Sequence, residues 1–578
     1  MDNPPEIETV QLNRKRAREL LSVSIFLLAV LMLRLFYIQI FKYEFFFDRS
    51  QEQRLRTITL YPDRGDIYDR NGNLLATSIN AYSIVAYPSK IKNKKQAALD
   101  ISRILNENHS LVLQKLNSNK PFVWIKRKIE EPVALKIKAK KIYGIGLLQE
   151  RKRVYPKRKL ASQVVGFVGV DNQGLSGIEI SYDDYLTGEA GSFIYEKDPG
   201  GREIVTSNLR VLKPATNGMN LTLTIDEPIQ YKAETEIKKA VEESHSNSGS
   251  IIVMDVKSGE ILALASYPDI DPNNYQKYKP AFWNNRAVTD VYEPGSTFKL
   301  VTVASAIEEG VITVNTKINC PDSIKLGGRI IKNSHKTKAG TKNLSIKEIL
   351  RESVNTGAVN IARKLGEEKF YDHIKHFGFD EKTDVGLPGE SRGILKEPDS
   401  WDKSDIGMIS FGQSIAVTPV QLISSLSSIA IGGIRMKPRL VKKIESSDSS
   451  FFKVFAPEIM GQAMSARTAG EMLELCEDVV ENGTGRLAKI PGFRVGGKTG
   501  TAQKPRPSGL GYMEGHYVAS FIGFTPLDDP RISVLVVLDD PKPVFWGERV
   551  AAPVFKQVAE YSLRRLNIAP DKKESSVI

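Results

Sequence analysis

Ser296 and Lys299 sit in Tyr292-Glu-Pro-Gly-Ser-Thr-Phe-Lys-Leu300. Pro294 and Gly295 break any preceding regular structure, and the run from Ser296 to Glu309 reads as a helix with Ser296 in its first turn. Residues three apart share a helix face, so Ser296 and Lys299 can share one proton. A serine hydroxyl becomes a nucleophile when a base takes its proton. Lysine serves as that base only if burial or a neighbouring cation lowers its pKa. A helix N-terminus also supplies free N–H groups that favour an oxyanion. Alone, Ser-x-x-Lys fits an ordinary helix turn with a solvated lysine better than an active site, because so short a pattern recurs by chance.

Two further stretches bear on that choice. Ser353-Val-Asn355 places a hydroxyl and an amide two residues apart within a helical pattern. Arg494-Val-Gly-Gly-Lys-Thr-Gly-Thr-Ala-Gln503 reads as a strand whose small residues let a ligand approach. Lys498 and Thr499 are expected to project from its edge, and Gly500 to leave room for substrate. Ser-x-x-Lys, Ser-x-Asn and Lys-Thr-Gly in this order form a motif set of penicillin-binding proteins and class A β-lactamases.

On these residues the chain resembles a class B penicillin-binding protein, a membrane-anchored peptidoglycan D,D-transpeptidase. Asn285 to Lys299 resembles that family's extended first motif, and Ser410-Phe-Gly-Gln-Ser414 with Val417-Thr-Pro419 also matches, although Ser414 stands where members often have glycine. Arg64-Gly65 through Asp69-Arg70-Asn71-Gly72 to Leu75-Ala76 is similar to the N-terminal motif of class B proteins. Length, and no repeats after the closing helix, resemble the division-associated FtsI type more than elongation or sporulation types.

The resemblance implies roles for individual residues. Ser296 would attack the penultimate D-Ala carbonyl of a stem pentapeptide ending in D-Ala-D-Ala, with Lys299 as base. Ser353 would relay a proton to the leaving amine, and Asn355 would position the acyl chain. Lys498 would keep Lys299 deprotonated and attract the substrate carboxylate, which Thr499 and Thr501 would contact. The N–H groups of Ser296 and Thr501 would form the oxyanion hole. An amine from a neighbouring stem peptide would then make the cross-link, and β-lactams would acylate Ser296. The implied partners are a SEDS-type glycan polymerase (FtsW/RodA-like) and other divisome proteins; no cofactor is implied.

The elements that must position these groups are legible in outline. Asn220–Asp226 alternates like a strand, Glu227–Glu243 reads as a helix, and Ser250–Asp255 with Glu260–Ser266 as a hairpin. Tyr517–Phe524 and Ile532–Leu538 are apolar strands, and Ala551–Leu566 a closing helix. Strands at both ends with helices between predict an α/β (α+β) fold: an antiparallel sheet from distant segments, covered by helices.

Before it, Arg14, Lys15, Arg16 and Arg18 precede an apolar run from Leu20 to about Phe41, long enough to span a bilayer. No small-residue cleavage site follows, and the flanking charge places the N-terminus in the cytoplasm and the remainder outside the membrane. Arg34 within the run is either snorkelling or in contact with a partner helix. The expected divisions are a cytoplasmic tail 1–19, an anchor 20–41, a pedestal 42–220, a transpeptidase domain 221–568 and a polar tail 569–578. In the pedestal, Asp69–Asn73 reads as a tight turn locked by an ion-pair network of Arg64, Asp66, Asp69 and Arg70.

The formal net charge is +13, and Lys115 to Lys159 holds 15 Lys or Arg against three Glu, a basic face toward solvent or an anionic surface. No nucleic-acid motif accompanies it. Two cysteines, Cys320 and Cys476, build neither a disulfide framework nor a metal site, and His373 and His376 lack further ligands, so no metal is expected. Alternatives of the same fold are a D,D-carboxypeptidase or a β-lactam-hydrolysing enzyme. A β-lactam receptor or a scaffold fits less well with a complete catalytic set and so short a tail.

Overall fold

The computed structural model describes residues 6–196, 210–334, 342–507 and 511–572. The first five residues of the expected cytoplasmic tail and residues 573–578 of the expected polar tail lie outside the described residues. The chain divides into two units, Met1–Pro62 with Glu189–Thr216, and Asp63–Gly188 with Asn217–Ile578.

In the first unit, a helix Glu6–Phe36 continues through a π-helical turn Tyr37–Phe41. Within Gln11–Phe41 an 18-residue window has a mean hydropathy of 2.3 and no buried residue, long and apolar enough to cross a bilayer. A second helix, Tyr43–Arg54, leads to strand Leu55–Leu60, which pairs antiparallel with Gly191–Glu196; that strand in turn pairs with Arg210–Lys213.

The second unit is built on two sheets. The larger one orders Phe452–Val454, Val441–Glu445, Asn220–Leu223, Ile67–Tyr68, Leu74–Ala86 and Val123–Ile129, with Ile145–Val154 also on Leu74–Ala86. One sheet therefore runs across the expected boundary at residue 220. The hairpin predicted at Asp69–Asn73 forms, joining Ile67–Tyr68 to Leu74–Ala86. Its charged residues do not make one network. Arg64 is buried on Glu179, with Nε–Oε2 at 2.6 Å, and reaches Asp183 at 2.6 Å. Arg70 pairs with Glu260 at 3.1 Å, and Asp69 accepts from the N–H groups of Asn71, Asn73 and Glu227. The two arginines reach acids far along the chain, while Asp69 holds the turn through the N–H groups of its neighbours Asn71 and Asn73. Gly65 is obligatory, since a Cβ there would lie 1.9 Å from the Met219 carbonyl oxygen.

The basic segment also departs from expectation. Arg153 pairs with Glu179, Lys157 with Glu227, Lys159 with Asp269, Arg151 with Asp63, and Arg127 with Glu150 and Asp171. Part of its charge is thus paired within the fold, by Glu150 of the segment itself and by acids outside it that local counting cannot see.

The smaller sheet orders Ile261–Tyr267, Ser248–Asp255, Ile532–Asp539, Tyr512–Thr525 and Gly496–Pro505, every neighbour antiparallel. Helix Glu227–Glu243 has the expected bounds because Asp226 caps it and Pro228 occupies its first turn. Its buried Ile229, Ala233, Ile237 and Val241 pack with helix Ala552–Arg565 on one sheet face. Phe298, Leu300, Val301, Leu422 and Met472, from three other helical segments, belong to the core that holds the opposite face. The result is a helix–sheet–helix sandwich with Gly496–Pro505 as one edge strand.

Candidate active site

The nucleophile turn is tighter than the sequence indicates. Gly295–Phe298 is a 3₁₀ turn that runs into the α-helix Lys299–Glu308. Gly295 has φ of +59°, and a Cβ would lie 3.0 Å from that of Ala502, so the turn sits directly against the edge strand. Gly500 belongs to the same contact: a Cβ there would be 2.3 Å from Ser520 Oγ and 3.0 Å from the Pro294 carbonyl oxygen. Its missing side chain seats the strand on the turn rather than leaving space for substrate, as had been expected.

Lys299 is fully buried and its Nζ meets four oxygens: Ser353 O at 2.6 Å, Asn355 Oδ1 at 2.7 Å, Ser296 Oγ at 3.1 Å and Ser353 Oγ at 3.1 Å. The two short contacts are to groups that only accept, so they take N–H bonds. In the neutral amine this leaves the lone pair for a hydroxyl proton. Burial, reinforced by the Lys498 cation, holds the Lys299 pKa well below the ordinary lysine value. Lys498 is also fully buried, and burial lowers it to about 7.

Ser353 links the two amines, with Oγ 3.1 Å from Lys299 Nζ and 3.0 Å from Lys498 Nζ. It does not continue a helix, as its pattern indicated. Its φ is +56°, between helices Ile346–Arg351 and Asn355–Leu365. That left-handed residue turns both its carbonyl and its hydroxyl toward Lys299. The Asn355 amide donates from Nδ2 to the Lys332 carbonyl at 2.9 Å, which fixes its Oδ1 on Lys299.

Ser296 opens on a cleft of about 740 Å³, bounded by hairpin strand Arg329–Lys332 on one side and by Thr501, Tyr512, Tyr517 and Trp546 on the other. A smaller recess of about 230 Å³ adjoins it, lined by Ser353, Thr484, Thr499, Thr501 and Gly547. Thr499 Oγ1 lies 2.9 Å from Thr484 Oγ1, and the Gly547 N–H donates to Thr501 Oγ1 at 3.1 Å. Thr484, Trp546 and the Arg329–Lys332 strand carried no local signal, because folding alone brings them here.

Ser414 has φ of +59°, which explains why glycine suits that place. Its N–H donates to Glu293 Oε1 at 3.0 Å, and the Tyr512 hydroxyl donates to the same oxygen at 3.3 Å. Burial raises Glu293 to about 7. Arg64, Gly65, Asp69, Arg70 and Gly72 are not brought to the cleft; they belong to the pedestal. Among the described residues no His, Cys, Asp and Glu cluster could hold a metal, and Cys320 and Cys476 are buried free thiols.

The arrangement is a serine beside a buried amine whose pKa is held low, with a second buried amine one hydroxyl away. Comparison with known proteins gives the following. Residues 249–560 match the family described as the penicillin binding protein transpeptidase domain, and residues 59–223 match the penicillin-binding protein dimerisation domain. Stage V sporulation protein D of Bacillus subtilis is 33% identical over 97% of this chain and 87% of its own length. Peptidoglycan D,D-transpeptidase FtsI of Escherichia coli is 32% identical over 94% of this chain and 90% of its own. The crystal structure of penicillin binding protein 3 from Mycobacterium tuberculosis complexed with ampicillin superposes with a TM-score of 0.71 at 26% identity, covering 90% of this chain and 98% of that one.

Proposed function

The chain belongs to the penicillin-binding protein transpeptidase family, and from that premise we propose how its residues divide the work of cross-linking peptidoglycan. It is a serine-type D,D-transpeptidase of cell wall synthesis, of a family that binds stem peptides and β-lactams. The observation that carries the assignment of roles is Lys299 Nζ at 3.1 Å from Ser296 Oγ, with its N–H bonds committed elsewhere.

Ser296 Oγ attacks the carbonyl carbon of the penultimate D-Ala while its proton passes to Lys299 Nζ. The oxyanion is held by the N–H groups of Ser296 and Thr501. As the intermediate collapses, the C–N bond breaks and the departing nitrogen takes a proton from the Ser353 hydroxyl. Lys299 restores that proton, and terminal D-Ala leaves. The acceptor amine then attacks the ester, its proton returning by the same route to Ser296 Oγ. Asn355 aligns the acyl chain, Lys498 holds the cation, and Thr499 and Thr501 bind the substrate carboxylate.

Residues 42–220 act as pedestal and 221–568 as catalytic domain, behind a cytoplasmic tail 1–19, with the apolar helix as a single-pass anchor and its N-terminus inside. The partner in the membrane is a SEDS-type glycan polymerase, and Arg34 within the apolar stretch supports that contact. Arg34→Leu should weaken co-purification with the polymerase; unchanged recovery would remove the support.

The site of action is the division septum, supported by the likeness to FtsI. The nearly equal identity to a sporulation protein favours a second reading, a role in spore wall assembly. Depletion separates them: filamentous growth supports the septum, and normal division with defective spores supports the other. Labelling by a fluorescent penicillin, wild type against Ser296→Ala, tests the nucleophile. Incubation with a polymeric substrate and an amine acceptor tests transfer, since release of trimmed peptide without cross-links would mark a carboxypeptidase.

A further inference from the structure

We propose that the end of the cleft bounded by Arg329 and Lys332 is a carboxylate subsite, selecting donor peptides that carry a free carboxylate upstream of the acylated D-Ala. The inference rests on the transpeptidase reading above and adds to it the charge state of the donor.

Arg329 and Lys332 are the charged residues lining the main cleft; its other polar groups are amides and hydroxyls, among them Asn355, Gln413, Gln503 and Tyr512. No carboxylate lines it among the described residues. The nearest acids do not cancel the cations. Asp402 lies 4.0 Å from Arg329 Nη2 and is more than half exposed, so the attraction is weak. Glu293 stands behind Tyr512, and burial, which raises it to about 7, leaves it only partly charged near neutrality. Lys332 has no ion-pair partner among the described residues.

The pair is also held in place. Strand Arg329–Lys332 pairs with Ser323–Leu326, and Ile331 is buried among Ala358, Val359, Met408 and Phe411. The turn at Gly327 rests on Ser404, and the Lys332 carbonyl accepts from Asn355 Nδ2 at 2.9 Å. That last bond sets the distance scale: one amide side chain separates the base Lys299 from the backbone of Lys332. An extended peptide advances roughly 3.3–3.6 Å per residue, so a side chain one or two residues upstream of the acylated carbonyl reaches this end of the cleft. The recess beside Thr499 takes the terminal carboxylate at the other end. A donor with a free carboxylate upstream of the scissile bond is thus matched by Arg329 and Lys332, and an amidated donor leaves that cationic end unmatched.

The test uses the full-length protein in detergent and synthetic stem pentapeptides with a free carboxylate or a carboxamide on the second or on the third residue. With an amine acceptor in excess to turn the acyl-enzyme over, release of terminal D-Ala gives kcat/KM for each. We expect a preference for the carboxylate of about tenfold, the worth of one charge-assisted hydrogen bond, at one of the two positions. The ratio should shrink with added salt, approach one in the Arg329→Gln/Lys332→Gln double variant, and invert in Arg329→Glu/Lys332→Glu. Equal or reversed preference in the wild type, with D-Ala release intact, overturns the subsite and leaves the transpeptidase reading standing. No release from any pentapeptide, with the penicillin label still bound at Ser296, overturns both.

Discussion

Two buried amines stand one hydroxyl apart at the centre of this site, and their opposite charge requirements give the rate a measurable pH dependence. Lys299 must be neutral to accept the Ser296 proton, so acylation falls at low pH as it becomes protonated. Lys498 must be charged, and with its pKa at about 7 the rate should fall again above neutrality. The second-order rate of penicillin acylation is therefore expected to be bell-shaped in pH. Lys498→Gln removes the cation that depresses Lys299, so the acid limb should move to higher pH and the alkaline limb should vanish. An unshifted acid limb would break the electrostatic link between the two lysines. Ser296→Ala should abolish acyl-enzyme formation, seen by mass spectrometry as no added β-lactam mass. At this scale the sequence was most informative: Ser296, Lys299, Ser353, Asn355 and Lys498 meet within hydrogen-bond distances. The backbone that aims them was less legible. The left-handed Ser353 interrupts a helical pattern that its neighbours continue, and periodicity carries no φ.

Between elements, the contact between nucleophile turn and edge strand carries the geometry. Gly500→Ala would push a methyl group against Ser520 and the Pro294 carbonyl, parting strand from turn. A cost of about 1–3 kcal/mol to stability is expected, read by thermal unfolding, with a larger proportional loss of acylation rate. Ser414 offers a complementary test. In the left-handed region, Ser414→Gly should be tolerated with the Glu293 bond kept. A β-branched Ser414→Val should cost roughly 1–3 kcal/mol and slow acylation through Glu293 and the turn that follows it. Helix Glu227–Glu243 was readable to the residue because Asp226 and Pro228 mark its start chemically. Thr484 and the Arg329–Lys332 strand were not, since only tertiary packing delivers them.

Across the whole molecule, Glu179 is the point on which the pedestal closes. It is fully buried and binds Arg64 at 2.6 Å, Arg153 at 2.7 Å and the Tyr155 hydroxyl at 3.1 Å. Glu179→Ala strands the buried Arg153 guanidinium and leaves Arg64 with Asp183 alone, and a loss of about 3–5 kcal/mol is expected in urea unfolding of the full-length protein. The sheet that crosses residue 220 should transmit this loss, so a single transition lowered throughout is expected rather than early melting of the pedestal alone. The expected hairpin was legible from Asp69 to Asn73, but not the partners of Arg64 and Arg70, which lie far along the chain. The order of strands in the catalytic sheet has a last consequence, for biogenesis. Two of its inner strands, Ser248–Asp255 and Ile532–Asp539, come from opposite ends of the catalytic segment, and Lys498 lies on a strand made late. Such non-local pairing is slow and waits for the last strands to appear. A chain still being synthesised therefore has Ser296 but no second lysine beside it, and the enzyme stays unarmed until its polypeptide is almost finished.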